Sequence, residues 1–339
     1  MPSTAKRRWS REIDAQIDGI AFGPTGPVIV HGYEPPAGDR WMDSVIPGKL
    51  LAFERTNGEL LWRVPCEIGY GRGFGAGVLN PDRIVVLGPG LVGHKIAHMS
   101  LSNGELLGAA PIEAFDEALV DPDLCLCLSA GRIFAIDTQA MTEAWSHMAE
   151  GERYHHIDRV GDRVLVVFSC RTGYGILRLD AETGEFEGRL LLPEQPVIHS
   201  ASGGDDLVIA LTSDLRRVLS DDGREQLEAE LAEHPGGGLS DTLSLLALRA
   251  DGEPGDEPCW FRVLETKEQD ELPEASILVD SGKLYLERGT LLEARDALTG
   301  RELGDWTVPG LDERIDWRVV DGAGLMAEET RVSLFELPA

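Results

Sequence analysis

One stretch, Gly48-Lys-Leu-Leu-Ala-Phe-Glu-Arg-Thr-Asn-Gly-Glu-Leu-Leu-Trp-Arg63, constrains the fold more than any other. Apolar residues flank Thr56-Asn57-Gly58 on both sides. An Asn-Gly step between such runs predicts a β-hairpin, because both residues tolerate positive φ. A single hairpin would be marginal in water, but this one is rewritten along the chain.

Further copies are Ile96–Leu107, Gly131–Trp145 (where the turn glycine is lost), Gly175–Phe186, Arg217–Arg224 and Glu293–Trp306. A degenerate copy has strands at Leu243–Leu248 and Cys259–Leu264, and residues 250–274 read as an acidic degenerate blade or a loop insertion. The turn positions Gly58, Gly104, Gly184, Gly223 and Gly300 recur at about 40 residues or about twice that, which sets the repeat length. Each copy supplies about four short strands, and such a sheet must stack against neighbours to bury both faces. Radial repetition protects the strand edges and points to a β-propeller. At the ends, Arg331–Leu337 reads as a hairpin arm without its partner, and Arg8–Glu12 resembles the last strand of a copy. The expectation is a single all-β domain over 1–339, an eight-bladed propeller whose N-terminal strand closes the C-terminal blade. Seven blades is the alternative if the degenerate sixth copy is a loop.

The pattern Gly-x-Leu-x-Ala-apolar-Asp/Glu-x-x-Thr/Asn-Gly-Glu-x-x-Trp, matched at 48–63, 131–145, 175–190 and 282–306, resembles the pyrroloquinoline-quinone-type propeller repeat. The resemblance implies that a recurring tryptophan caps the interface between successive blades. Trp9, Trp62, Trp145 and Trp306 fit that role, with Leu107, Phe186 and Leu227 replacing it elsewhere. It also implies a range of activities: quinone-dependent dehydrogenases that use calcium, outer-membrane assembly lipoproteins, and binding scaffolds. The vicinal cysteine pair of many such dehydrogenases is absent here, as is a lipobox near the N-terminus.

Charge narrows the partners. A formal net charge of -28, with only Lys6, Lys49, Lys95, Lys267 and Lys283 as lysines, repels nucleic acid and anionic membranes. The start of the chain has basic residues but no apolar core behind them, and no apolar run reaches membrane-spanning length. A cytoplasmic protein without membrane insertion is expected. Cys66, Cys125, Cys127, Cys170 and Cys259 are scattered and odd in number, as free thiols in a reducing compartment would be.

Candidate chemistry sits where loops enter the innermost strand of each blade, at one mouth of a propeller's channel. The residues there are Tyr70, Arg72, Phe74, Tyr154, His155, His156, His199, Arg314, Asp316 and Trp317. Aromatic, histidine and arginine side chains on one rim suit an anionic or peptide ligand. The alternating glycines of Gly69–Gly77 read as close packing or a ligand contact, not a dinucleotide fingerprint, since no helical pattern follows. His94 and His98 share one face of a strand. No catalytic residue, metal ligand set or cofactor is assigned. The expected function is a non-catalytic scaffold for a protein partner, and the alternative is a quinone-dependent oxidoreductase or a hydrolase-like enzyme at the channel.

Overall fold

The computed structural model describes residues 3–35, 46, 48–69, 74–171, 173–191, 198–204, 207–213, 215, 219–232, 242–249, 258–266 and 275–337. Its strands pair into seven antiparallel sheets, the blades of a β-propeller. In chain order the blades are 1 (Gln16–Cys66), 2 (Gly75–Ile112), 3 (Glu117–His147), 4 (Arg153–Leu191), 5 (Ile198–Thr266), 6 (Ala275–Thr307) and 7 (Asp316–Glu336 with Lys6–Glu12). Six sheets have four strands, and the sheet of blade 6 carries a two-residue fifth strand, Ser3–Thr4.

The strands follow from their burial. Second and third strands are packed on both faces, so they are runs rather than alternations, as in fully buried Val28–Tyr33. Outermost strands alternate, as Leu60–Cys66 does with every second residue exposed until the chain turns inward at Cys66.

Two compact units divide the blades, one of Thr4–His147 with Val308–Ala339 and the other of Met148–Thr307 with the first residues. The former holds blades 1, 2, 3 and 7. In it the N-terminal strand Lys6–Glu12 pairs with Arg331–Glu336 and completes blade 7, as the sequence predicts. The latter holds blades 4, 5 and 6.

Seven blades, not eight, is the finding, and the reason lies in blade 5. The expected fifth and sixth copies are two halves of one sheet: Ile198–Gly204 and Leu207–Ser213 pair with Thr242–Arg249 and Trp260–Thr266. Between the halves lies helix α1, Asp221–Ala232. The supposed turn Asp222-Gly223 is its first turn: the Ser220 hydroxyl accepts the Gly223 N–H at 3.2 Å, and Asp221 and Asp222 favour the positive helix N-terminus. Gly223 lacks the positive φ shared by Gly58, Gly104, Gly184 and Gly300. Leu219 and Leu227 then bury against Val208, Leu246 and Phe261 in the core of blades 4 and 5. Of residues 250–274, Trp260–Thr266 form the last strand of this blade, 258 and 259 lead into it, and 250–257 and 267–274 lie outside the described residues.

The hairpin turns also differ from a two-residue Asn-Gly turn. Only Gly58 takes positive φ, at 68°, and Asn57 does not. The Gly58 N–H closes the turn onto Glu54 O at 2.8 Å, while the Asn57 carboxamide accepts the Glu59 N–H. This is the longer turn with one left-handed residue. Met141 fills that residue in blade 3 at φ 54°, which is how the turn survives without glycine.

Those turns receive tryptophans from the preceding blade. The Trp9 indole donates to Arg55 O at 2.8 Å, Trp62 to Leu101 O at 2.8 Å, and Trp260 to Ala297 O at 3.2 Å. Each ring also lies on the turn glycine: a Cβ on Gly58, Gly104 or Gly300 would meet Trp9, Trp62 or Trp260 within 3 Å. Trp145 and Trp306 are buried too. Trp260 takes the capping role in blade 5, where Leu227 was expected, and Leu227 belongs to α1. Leu107 and Phe186 stand exposed.

Candidate interaction surface

The predicted rim residues fall into both units, and each unit has its own chemistry. In the unit of blades 1, 2, 3 and 7, Phe74 is half-buried and stacked on His31, with ring centroids 4.0 Å apart and planes 14° from parallel. Gly19 makes room for it, since a Cβ there would stand 2.6 Å from the ring. His31 is buried between two acceptors: Nε2 lies 3.1 Å from Ile68 O and Nδ1 3.4 Å from Asp18 Oδ2. Asp18 sits at a bulge in the first strand of blade 1, which re-aims its side chain. Asp316 links blade 7 to blade 1, its Oδ2 accepting the Ile20 N–H at 3.2 Å, and Arg318 lies 3.4 Å from its other oxygen. Trp317 is buried, and Arg314 donates to Leu311 O at 3.0 Å. Phe74 and Trp317 therefore pack within this unit, and Arg314 is bonded to the turn that precedes blade 7's first strand. Tyr70 and Arg72 lie outside the described residues.

In the unit of blades 4 to 6, Tyr154 is buried with its hydroxyl 3.2 Å from Glu152, which pairs with Arg189. Burial first, and then the Glu152 carboxylate, push the phenol up to about 12. His155 is exposed at a bulge in the same strand, its Nε2 2.7 Å from Ser169 Oγ. His156, next to it, is half-buried. His199 occupies the corresponding bulge of blade 5.

Partial desolvation first, and then Arg153, hold the His155 imidazole below its ordinary value. A base whose native value is depressed binds fewer protons folded than unfolded, so stability is whole above the ordinary value of 6.5 and declines as pH falls through it. His155→Gln should flatten that part of a pH–stability curve measured by urea unfolding. An unchanged slope would contradict the assignment.

The feature that sequence reasoning missed is the hairpin between the second and third strands of blade 2. Pro89 pairs with His94, and the Gly90 N–H closes the turn onto Gly93 O at 2.8 Å. The base is held from outside: the Gly69 N–H donates to Pro89 O at 2.9 Å, Lys95 pairs with Glu67 at 2.8 Å, and His94 packs edge-on against Phe115 at 5.1 Å. At the tip Leu91 is 75% exposed and Val92 82%. The only sequence signal is two branched apolar residues inside Gly88-Pro-Gly-Leu-Val-Gly93. An ordered turn presenting adjacent apolar side chains to water can insert them into an apolar pocket of another molecule.

Among solved structures the chain is similar to BamB from Moraxella catarrhalis, at 15% identity and a TM-score of 0.52, over 98% of this chain and 100% of that one. The likeness is one of fold. It extends to the computationally designed Ika8 protein, at 12% identity and a TM-score of 0.55, over 98% and 100% of the two chains. No family model matches the chain, and no curated protein matches it. Among the described residues no helix is long and apolar enough to cross a membrane.

Proposed function

We propose that the protein is a non-catalytic propeller scaffold that docks a protein partner through the Leu91-Val92 hairpin of blade 2. The exposure of those two side chains on a hydrogen-bonded turn carries the reading. Burying a branched apolar side chain contributes about 1.5–3 kcal/mol. Two such residues at the centre of an interface supply what an anchor needs, with the polar flanks excluding water. The likeness of fold to BamB supports a binding role. The tryptophan-on-glycine docking at Gly58, Gly104 and Gly300 supports repeats of the pyrroloquinoline-quinone type. Five free cysteines, with Cys66, Cys125 and Cys127 buried, support a reducing, cytoplasmic location.

The test is quantitative capture by the tagged wild-type chain and by Leu91→Glu with Val92→Glu. Both positions are exposed, so the fold tolerates the change. A partner bound by the wild type should lose affinity by about 100-fold or more in the double variant. Equal recovery by both proteins would refute the hairpin as the docking element.

A further inference from the structure

The unit of blades 1, 2, 3 and 7 has a second recognition feature that the hairpin does not explain. It lies at the other ends of the strands, where the first and second strands of blades 1, 2 and 3 join. Those turns are proline-bearing: Gly23-Pro-Thr-Gly-Pro27, Asn80-Pro-Asp82 and Asp121-Pro-Asp123. With Leu61 and Leu101 they wall a groove of about 740 Å³, within the size range of ligand pockets.

Its walls are fixed before any ligand arrives. Asn80 Oδ1 accepts the Asp82 N–H at 2.9 Å, and the Thr138 hydroxyl donates to Pro122 O at 2.8 Å. Arg55 donates to Gly23 O while its guanidinium lies 4.6 Å over the Phe22 ring. A pre-formed groove spends little entropy on closing around its occupant.

The lining of the groove is uncharged and largely apolar, and the turns that form it carry acids. Pro24, Pro27, Leu61, Val78, Pro81 and Pro122 line it, and no charged residue does. Asp82 and Asp123 are exposed on its turns and Asp121 is half-exposed, with Arg83 the one cation adjoining these turns in sequence. The net charge of -28 gives the surrounding field the same sign.

We propose that this groove binds an extended peptide segment in which proline or aliphatic side chains alternate with lysine or arginine. The apolar residues enter the groove, and the cations meet the carboxylates of the turns. Proline suits the segment because a pre-extended chain loses less freedom on binding. This site goes beyond the docking hairpin and does not depend on it.

The experiment uses the full chain and a fluorescein-labelled nine-residue peptide repeating lysine–proline–leucine, followed by fluorescence polarisation. The control peptide repeats glutamate–proline–leucine. The basic peptide should bind at least about tenfold more tightly than the acidic one at low salt, and the difference should shrink as salt screens the carboxylates. Asp82→Lys with Asp123→Lys should weaken the basic peptide about tenfold, and Leu61→Gln should weaken both peptides. All three positions are exposed, so these variants fold. Leu91→Glu with Val92→Glu should leave peptide binding unchanged, which separates failure of this site from failure of the hairpin. Equal binding of the two peptides, no binding of either, or no effect of the groove variants would overturn the proposal.

Discussion

Placing alanine at Gly300 should destabilise the fold by about 2–5 kcal/mol, far more than alanine at Gly93. Both glycines have left-handed backbones, at φ 66° and 67°, so the conformational penalty of roughly 1–2 kcal/mol is shared. They differ in what the new Cβ meets. At Gly93 there is nothing within 4 Å, while at Gly300 the Trp260 ring stands 2.7 Å away. The indole must move, which loosens its hydrogen bond to Ala297 O and overpacks a full interface, a further roughly 1–3 kcal/mol. A double-mutant cycle makes the point sharper. In a Trp260→Ala background, itself lower by about 3–5 kcal/mol, the Gly300→Ala penalty should fall to that of Gly93→Ala. Chemical unfolding of the four proteins measures it, and an additive cycle would show that the pair does not dock blade 5 to blade 6.

Removing residues 1–12 should prevent cooperative folding of blade 7 and leave a chain that aggregates. The strand Arg331–Glu336 loses its whole ladder with Lys6–Glu12. Val332 and Leu334, fully buried in the core of blades 7 and 1, lose the cover of Trp9. The milder Trp9→Ala should cost about 3–5 kcal/mol, since it also removes the ring from Gly58. Lys6→Gln, which breaks only the exposed pair with Glu336, should have no measurable effect. Adding a synthetic peptide of residues 1–14 should restore a sharp transition by circular dichroism. A truncated chain that melts like the wild type would show that the clasp is dispensable.

These expectations rest on features that differ in how far the sequence displays them. The repeat is legible because one turn is built the same way each time: an acid or serine opens it and a left-handed residue closes it, and in blades 1, 2 and 6 a tryptophan lands on it. Met141 shows that the conformation, rather than glycine itself, is the conserved physical requirement of the turn. The closing strand is legible because Arg331–Glu336 pairs with Ala323–Ala327 on one edge only, and Arg8–Glu12 resembles the last strand that the other edge takes. The blade count fails at a single place, where Asp222-Gly223 looks like a hairpin turn but follows Ser220 and precedes a run of helix formers. An N-cap with glutamates and leucines behind it is the stronger local reading.

The candidate site is less legible, for a physical reason. Residues at a blade entrance such as Phe74 and Trp317 attract attention by their chemistry, yet Phe74 fills the gap left by Gly19 and Trp317 is buried. Leu91 and Val92 carry only a weak signal, two branched apolar residues in a glycine- and proline-bearing turn. What distinguishes them is exposure on a turn whose base is tied down, and exposure is a property of the packed structure.

The most direct test of the docking role is site-specific photo-crosslinking in the source cells, with a benzophenone amino acid at position 91 and, separately, at position 298. Leu298 is 67% exposed on a turn of blade 6 and serves as an apolar control. Docking through the hairpin predicts one protein crosslinked through position 91 and not through 298, lost when Val92→Glu is added. No crosslinked protein at position 91, or the same products from both positions, would contradict it.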